Sequence, residues 1–245
     1  MIRVTISSAK GSTPRETGAE MIVKTRGTTG SIGGGQLEYM AIDRARQMLA
    51  RNEMRAEMDI PLGPEIGQCC GGRVMLSLEW IEAMPPEPGK PLVMIFGAGH
   101  VGRALARALK LMPLEVLLLD QRVEELALAR DLPTRLTALP EADLRHAPQG
   151  TSYIILTHDH ALDFLLAAEA LRRKDAPYIG LIGSATKRAQ FNRFARDQGV
   201  DPAPLVCPIG AGTCHDKRPE VIAALTAAEL ITRLTAPVSL SQKYP

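Results

Sequence analysis

The spacing of hydrophobic and polar residues changes along the chain, and each spacing predicts a different kind of element. Three short segments, Arg3–Ser8, Glu20–Thr25 and Val74–Ile81, have the length and apolar content of strands. Between them, Gln36–Arg51 repeats its apolar residues at the interval that places them on one face of a helix. This combination predicts a small α+β domain in the N-terminal part of the chain.

Beyond residue 91 the chain alternates short apolar runs with helical patterns. The runs of strand length are Leu92–Phe96, Glu115–Leu119, Ser152–Leu156 and Tyr178–Ile182. The helical patterns are Arg103–Leu111, Ala161–Arg173, Thr186–Asp197 and, after Pro219, Glu220–Leu234. Such alternation is typical of a parallel, doubly wound sheet. The predicted fold class is therefore α/β, with the small α+β domain followed by a Rossmann-like domain built on a doubly wound parallel sheet.

A segment rich in proline separates the two patterns. Between Glu82 and Pro91 the sequence EAMPPEPGKP contains four prolines and a glycine. That composition is typical of an exposed linker between domains. We therefore predict an N-terminal domain of residues 1–82, a linker of residues 83–91 and a C-terminal domain of residues 92–245.

Composition and charge exclude several classes of protein. With 45% hydrophobic residues the chain can form a core, and a net charge of +2 with a pI near 8.4 is too mild for a nucleic-acid-binding surface. No apolar run approaches the roughly 20 residues of a membrane-spanning helix, and Met1 leads into a strand without the pattern of a signal peptide. We therefore expect a cytoplasmic protein with neither nucleic acid nor membrane as a partner.

A glycine-rich turn follows the first strand of the C-terminal domain. In PLVMIFGAGHVGRALA, Gly97, Gly99 and Gly102 stand between a strand and a helix, and Asp120 ends the next strand. Glycines at this spacing permit a tight turn, the approach of a phosphate to the backbone near His100, and close packing of helix on strand. Asp120 is placed to accept a hydrogen bond from a ribose hydroxyl. The alternative is that these glycines only shape an α/β fold.

Two histidines follow a later strand in the sequence LTHDHALD. His158 and His160 alternate along an extended loop beside Asp159 and Asp163, which indicates a metal site or a role in proton transfer. The alternative is that two histidines make an incomplete ligand set and that one of the aspartates caps the following helix.

The loop LIGSATK combines a hydroxyl with a cation. Ser184 lies at the expected start of a helix and Lys187 lies one turn further on, an arrangement that suits a phosphate. The alternative is an ordinary N-cap serine followed by a solvated lysine.

A run of glycines precedes the helix of the N-terminal domain. The backbone amides of Gly33–Gly35 are placed to line an anion or a polar heterocycle, with Gln36 and Glu38 as hydrogen-bonding groups. The alternative is a tight turn made of glycines.

Adjacent cysteines occupy a second glycine-rich loop, IGQCCGGR. Arg73 places a positive charge near Cys69 and Cys70, which favours the thiolate form, and thiolates are soft metal ligands. The alternative is a pair of buried, inert cysteines, although two neighbours in an extended segment cannot both face one core. The chain has four cysteines in all, and this pattern is not that of a disulfide-stapled secreted domain.

Seven motifs together give the chain a family likeness. They are GSTPRE, GSIGGGQLE, GPEIGQCCGGR, FGAGHVGRAL, THDH, YIGLIGS and CPIG, in this order from Val4 to about Leu230. With them the sequence resembles the XdhC/CoxI family, and the XdhC branch in particular. The resemblance implies an accessory protein, not an enzyme, that binds molybdenum cofactor (molybdopterin), protects it during sulfuration and delivers it to apo xanthine dehydrogenase in purine catabolism.

The resemblance also implies which residues and partners are involved. Motif by motif, it places cofactor-binding residues at Arg15, Gln36, Glu38, Gln68, Cys69 and Cys70 and at the glycines of the GAGHVG loop. Cys69 or Cys70 is the candidate molybdenum ligand. A nucleotide at the Gly97 loop, a cysteine desulfurase-type sulfur donor and a homo-oligomer are further expectations.

Two other functions stay open on the sequence. The first is an NAD(P)-dependent oxidoreductase, which the glycine loop and Asp120 support. The second is a non-catalytic scaffold for molybdoenzyme assembly, which needs no intact ligand site.

We also expect the loops around Gln36 and Cys69 to face those around Gly97, His158 and Ser184 in one cleft, within a chain or between two copies.

Overall fold

The computed structural model of the protein describes residues 1–64, 67, 71–85, 89–211 and 216–235. The chain divides into two compact units, Met1–Glu87 and Pro88–Pro245. The predicted fold class is confirmed, because the first unit holds an antiparallel sheet with a helix and the second a parallel sheet with helices. Within these described ranges, no helix combines the length and apolarity needed to cross a membrane.

The first unit is an antiparallel sheet with a helix on one face. Its elements are β1 (Ile2–Lys10), β2 (Glu20–Val23), β3 (Thr28–Gly30), α1 (Gly35–Arg51), β4 (Arg55–Pro61) and β5 (Arg73–Trp80). The strands lie in the order β3-β2-β1-β5-β4, and each neighbouring pair is antiparallel. At the centre of the sheet, Val4 lies opposite Met21 on one side and Leu78 on the other.

Alternation along the strands places the core of the first unit on one face of the sheet. Ile2, Val4 and Ile6 are fully buried, because every second side chain of a strand points to the same face. Helix α1 covers that face with buried residues spaced by three or four positions. They are Leu37, Ala41, Ala45 and Met48. Full burial of each larger side chain contributes about 1.5–3 kcal/mol to stability. The apolar positions of the strands, every second residue, therefore stabilise the unit together with those of the helix, every third or fourth residue.

The second unit alternates strands with helices. Its strands are β6 (Leu92–Phe96), β7 (Glu115–Asp120), β8 (Thr134–Leu136), β9 (Ser152–Ile155) and β10 (Ile179–Leu181). Its helices are α2 (His100–Leu109), α3 (Val123–Ala127), α4 (Pro140–Arg145), α5 (His160–Arg173), α6 (Ala185–Asp197) and α7 (Pro219–Thr235). The strands lie in the order β10-β9-β6-β7-β8 and all pair in parallel.

Both faces of the parallel sheet are covered, so the predicted doubly wound arrangement is confirmed. On β6, Val93 and Ile95 belong to a core with residues of α2 and α7. Met94 and Phe96 point the other way into a second core with residues of α5 and α6. Two-sided burial explains why these strands read as continuous apolar runs in the sequence.

Several elements differ from the sequence-based predictions. Helix α2 begins at His100, three residues before the predicted start, because its N-cap is Gly99, which offers no side-chain capping signal. The short elements β3, β8, α3 and α4 were not predicted, and neither was β4. Strands β3 and β8 are exposed throughout, and α3 buries only Leu126, so these elements carry little hydrophobic periodicity. Helix α4 buries Pro140 and Leu144 but is only 6 residues long.

We predict losses of stability of different size for alanine at two glycines of the same turn. A Cβ on Gly102 would lie 1.9 Å from the carbonyl oxygen of Gly97, whereas a Cβ on Gly99 would meet no described atom within 4 Å. Gly102→Ala should lower the free energy of unfolding by at least about 2 kcal/mol through overpacking. Gly99→Ala should cost no more than about 1 kcal/mol, as a change of N-cap residue does.

Urea unfolding followed by circular dichroism measures both values. Equal stability of Gly102→Ala and the parent chain contradicts the close approach of α2 to the turn.

Candidate functional site

Most of the residues predicted to form the site of the second unit lie at the carboxyl ends of the parallel strands. Open parallel sheets bind ligands at this edge, where the loops after successive strands lie side by side. Between the loops that follow β6, β7 and β9 there is a small depression. It is lined by Phe96, Gly97, Leu119, Asp120, Gln121, Thr137, Pro140, Thr157, His158 and Leu162.

The three glycines of the GAGHVG loop have different physical roles. Gly97 has a φ of +118°, and a Cβ there would lie 2.3 Å from the carbonyl oxygen of Leu156. Gly102 must be small because α2 packs on the turn at that point. Gly99 has an ordinary φ of −65° and open space beside it as far as the structure describes the chain. Only at Gly99 does the missing side chain leave room for a ligand.

The first turn of α2 is open to an anion. In the described structure its N-cap Gly99 provides no side-chain cap, and the turn contains no acidic residue. Helix amides without an internal partner, together with the positive end of the helix dipole, attract phosphates and carboxylates. His100 is exposed at the start of this turn. Arg103 is nearly buried and donates to the carbonyl of Ala98 and to Glu125, so its charge is used inside the unit.

Asp120 was predicted to accept from a ribose, but the structure places its carboxylate among donors of the chain itself. Oδ2 accepts from the Ala98 amide at 2.6 Å and from Arg122 Nη2 at 2.9 Å. Oδ1 accepts from the Arg122 amide at 2.9 Å and from its Nε at 3.0 Å. Burial raises the pKa of Asp120, but these hydrogen bonds outweigh burial and hold it below the ordinary value. The residue therefore braces the glycine turn. Arg122, two residues on, was missed because its role depends on this geometry.

Two aspartates after β9, Asp159 and Asp163, accept hydrogen bonds from the start of α5 and from the preceding loop. The Asp159 carboxylate accepts from the amides of Ala161 and Leu162, which confirms an aspartate as the cap of α5. Asp163 is fully buried, and its Oδ1 accepts from both the amide and the hydroxyl of Thr157 at 2.9 and 2.7 Å. The loop is thus held to its own helix.

Lys187 lies in an ion pair and is not solvated. Its Nζ donates to Asp163 Oδ2 at 2.6 Å, and the two side chains are 10% and 0% exposed. Ser184 caps α6 by accepting from the Lys187 amide, so the N-cap alternative is confirmed for the serine. The alternative of a solvated lysine is wrong. Because its charge is engaged by Asp163, Lys187 connects α5 to α6.

The two histidines are exposed at the same edge. His158 lines the depression, and His160 begins α5. Across the described residues, no group of three or more histidine, cysteine, aspartate or glutamate side chains is arranged to hold a metal ion. His158 is therefore available to a ligand in the depression as a single hydrogen-bonding group.

Two of the glycine-rich loops of the first unit close around the loop GSTPRE. A Cβ on Gly33 would lie 2.5 Å from Pro14 Cγ, with Arg15 Cγ at 3.6 Å. A Cβ on Gly72 would lie 2.2 Å from the carbonyl oxygen of Ser12. The structure therefore brings Arg15 beside the glycines before α1, and it brings Gly72 beside Ser12.

Glu38 stabilises the turn from which α1 begins. Its Oε1 accepts from the Ser31 hydroxyl at 2.6 Å and from the Ile32 amide at 2.9 Å. Burial raises the pKa of Glu38, but these bonds and the amides of Gly34 and Gly33 lower it below its ordinary value. The glycine amides thus point to a carboxylate of the same chain. Gln36, two residues earlier, is exposed.

Gln68, Cys69 and Cys70 lie outside the described residues. Around them, Gly71 donates to the carbonyl of Leu62 at 2.9 Å, and Leu62 donates to the carbonyl of Gly72 at 2.8 Å. Arg73 makes a two-pronged ion pair with Asp59 at 2.7 and 2.6 Å. The positive charge expected to favour a thiolate is therefore engaged by a carboxylate.

Together, the folds and sites define a class of two-unit proteins in which a small antiparallel unit with glycine-rich loops precedes a Rossmann-type unit. Residues 93–230 match the family described as "XdhC Rossmann domain", and residues 1–59 match the "XdhC and CoxI family". The chain belongs to the XdhC and CoxI family, as its motifs predicted.

Two individual proteins are similar over nearly the whole chain. The uncharacterized protein YqeB of Escherichia coli strain K12 is 27% identical over 254 residues, which span 97% of this chain and 44% of YqeB. A crystal structure described as a xanthine dehydrogenase from Bacillus halodurans superimposes with a TM-score of 0.79 at 19% identity. It covers 99% of this chain and 94% of that one, and it establishes the likeness of fold.

We predict that removing the cation of the buried pair is strongly destabilising. Lys187→Met leaves the Asp163 carboxylate buried without its partner and should lower the free energy of unfolding by about 3–5 kcal/mol. The double variant Asp163→Asn with Lys187→Met removes both charges and should recover at least half of that loss. Lys90→Met, at an exposed position, is the matched control.

Chemical unfolding of the single and double variants at one pH measures the interaction free energy between Asp163 and Lys187. Additive losses in the double variant would show that the two charges do not stabilise each other.

We predict an acid-dependent contribution from Glu38. Because its pKa is lower in the folded chain, the unfolded chain binds the proton first as the pH falls. Its stabilisation is complete above the ordinary glutamate pKa of about 4.3 and is lost as the pH falls through the lower folded value. The stability difference between the parent and Glu38→Gln should therefore be largest near neutral pH and should shrink in acid.

Unfolding free energies across this range provide the measurement, with Glu57→Gln on the exposed side of β4 as the control. A difference that stays constant with pH contradicts the assignment.

Proposed function

We propose that this protein is a molybdenum cofactor-binding accessory protein in molybdoenzyme maturation. In this role it protects the cofactor while the terminal sulfur is installed and delivers it to apo xanthine dehydrogenase. The observation that carries the proposal is membership of the XdhC and CoxI family through both units. The likeness to a structure described as a xanthine dehydrogenase supports the choice of partner.

The second unit offers groups that fit a phosphorylated pterin. Free amides at the start of α2, with open space at Gly99, suit the phosphate. The neighbouring depression is lined by apolar residues, among them Phe96 and Leu119, and by polar groups that include His158. A flat heterocycle with hydrogen-bonding edges requires this combination of surfaces. When bound, the cofactor supplies the metal and its sulfur chemistry, and the chain supplies enclosure and orientation.

The first unit offers a separate set of groups. Arg15 and Gln36 are exposed at the end of the sheet where the loop GSTPRE meets the glycine turn. We assign them to polar contacts with the cofactor. Cys69 and Cys70 belong to the sequence motif IGQCCGGR, and we propose that one of them coordinates or shields molybdenum as a thiolate. A cysteine desulfurase-type protein would provide the sulfur.

The rival oxidoreductase function has weaker support. A dinucleotide site uses its strand-end carboxylate to accept from the ribose, and Asp120 already accepts from Ala98 and Arg122. The scaffold function requires no ligand, and the cofactor content of the purified protein separates it from the carrier function.

The test of the carrier function is transfer. We expect protein purified from a molybdenum-replete host to contain molybdenum and pterin, and to restore hydroxylase activity to apo xanthine dehydrogenase faster than an equal amount of free cofactor. Replacement of Cys69 and Cys70 by alanine should sharply reduce the molybdenum retained, because the soft ligand is lost.

Cys207→Ala provides the matched control, since burial raises the pKa of the Cys207 thiol and keeps it protonated. If the protein transfers cofactor no faster than free cofactor enters the enzyme, the carrier function is contradicted. Unchanged molybdenum in the double cysteine variant removes the thiolate from the proposal while leaving the carrier function standing.

A further inference from the structure

The two edges of the parallel sheet differ. At one edge Val206 pairs with β10, since its amide donates to the carbonyl of Ile179 and its carbonyl accepts from the amide of Leu181, each at 2.8 Å. At the other edge β8 is the last strand, and none of the described residues pairs with its outer side. Exposed strand edges pair readily with another chain, so proteins normally cover them. The sheet is therefore covered at β10 and open at β8.

The hydrogen bonds of β8 identify the groups that lie at its open edge. The carbonyl of Pro133 and the amide of Thr137 both bond to β7, at 3.0 and 3.1 Å. Successive residues of a strand turn their amide and carbonyl groups to opposite sides. Thr134 and Leu136 therefore direct their N–H and C=O groups away from β7, to the open edge.

Apolar surface lies beside this edge. Leu136, in the strand, is 58% exposed, and Leu139, just beyond it, is 67% exposed. Next to them is a groove of about 610 Å³ whose lining includes Leu92, Met94 and Leu117. Single exposed leucines are ordinary on a protein surface, but exposed leucines beside both a groove and an open strand edge indicate an interaction surface.

The charges around this surface are balanced. The charged residues that line the groove and its neighbour on α4 and α5 are three arginines and three carboxylates, namely Arg135, Arg145 and Arg172 with Glu141, Asp143 and Glu169. In a two-fold dimer each patch meets its own copy, so a patch of one sign would repel itself, whereas a balanced patch does not. The balance therefore favours a second copy of this chain over a strongly charged partner.

We infer that β8 is the contact between two copies of this chain related by a two-fold axis. The two β8 strands pair antiparallel and join two five-stranded sheets into one sheet of ten strands. The axis passes beside Leu136, so each Leu136 lies opposite its counterpart and exchanges both backbone hydrogen bonds with it.

Other registers of the two strands are less favourable. An axis at Arg135 would place two guanidinium side chains opposite each other, and like charges directly opposite destabilise a pair of strands. An axis at Thr134 would place Leu136 opposite Leu132, which is buried in the core of its own unit. The axis at Leu136 instead buries two exposed leucines against each other.

This arrangement keeps the candidate sites of the two copies apart. Because the two halves of the joined sheet run in opposite directions, their carboxyl edges lie on opposite sides of it. Each copy consequently keeps its own glycine turn and its own depression. The inference involves no cofactor, so it stands or falls independently of the proposed function.

Sedimentation equilibrium of the full chain tests the contact. We expect a species of about twice the 26.5 kDa of one chain, in a concentration-dependent equilibrium with the monomer. Leu136→Lys and Leu136→Glu each place like charges across the axis and should raise the dimer dissociation constant about tenfold or more. Leu111→Lys changes a leucine that is 86% exposed beyond the end of α2, and this matched control should dimerise like the parent.

Mixing the two Leu136 variants tests the register. In a mixed dimer the introduced lysine of one chain faces the introduced glutamate of the other. The mixture should therefore associate about tenfold more tightly than either variant alone. Because the gain comes from opposite charges, it should shrink as the salt concentration rises. Circular dichroism establishes that each variant is folded.

Three results overturn the inference. The first is a parent chain that stays a monomer at every concentration. The second is a dimer that persists in both Leu136 variants, because the copies then meet elsewhere and this surface belongs to another occupant, such as residues 236–245 or a different protein. The third is a pair of folded variants that lose the dimer and do not regain it on mixing, which contradicts the two-fold contact at Leu136.

Discussion

The close approach of α2 to the end of β6 is the constraint on which the second unit depends. There is no space for a side chain where Gly102 meets the carbonyl of Gly97, and none where Gly97 meets Leu156. These contacts bring the start of α2 to the carboxyl edge of the sheet, beside the depression that Gly97 lines. Gly99 is free of both constraints, so packing alone does not explain the missing side chain at that position.

Carboxylates inside the loops are a shared device of the two units. Glu38 holds the turn before α1, Asp120 holds the turn before α2, and Asp163 holds the loop before α5. Each accepts from backbone amides that a ligand would otherwise have to satisfy. The loops are consequently fixed before any ligand arrives, which reduces the entropy lost on binding. Recognition is left to the groups that remain unpaired.

The sequence predicted the architecture better than the site. Alternating apolar runs and helical patterns located β6, β7, β9 and β10, because strands buried on two faces must be apolar throughout. The alternation of Arg55–Pro61 also carries a strand signal, and its exposed and buried positions follow that alternation, yet β4 was not predicted. The short elements β8 and α3 bury too little for any such signal.

The partners of the site residues could not be read from the sequence. Asp120 reaches the Ala98 amide across 22 positions, and Lys187 reaches Asp163 across 24. Spacing alone left both residues as candidates for a ligand, since each stands at the expected edge of the sheet. Arg122 carries no motif at all. Its importance follows from the hydrogen bonds that it donates to Asp120 in the folded chain.

The pairing of Asp163 with Lys187 also has a consequence for how this sequence can drift over generations. A change at either position alone strands a charge in the interior, so each position is acceptable only in the company of the other. Thr157 depends on the same carboxylate and is drawn into the set. Three residues from two distant motifs are thereby linked through one carboxylate. In relatives we expect them to be kept together or to be replaced together by an apolar combination.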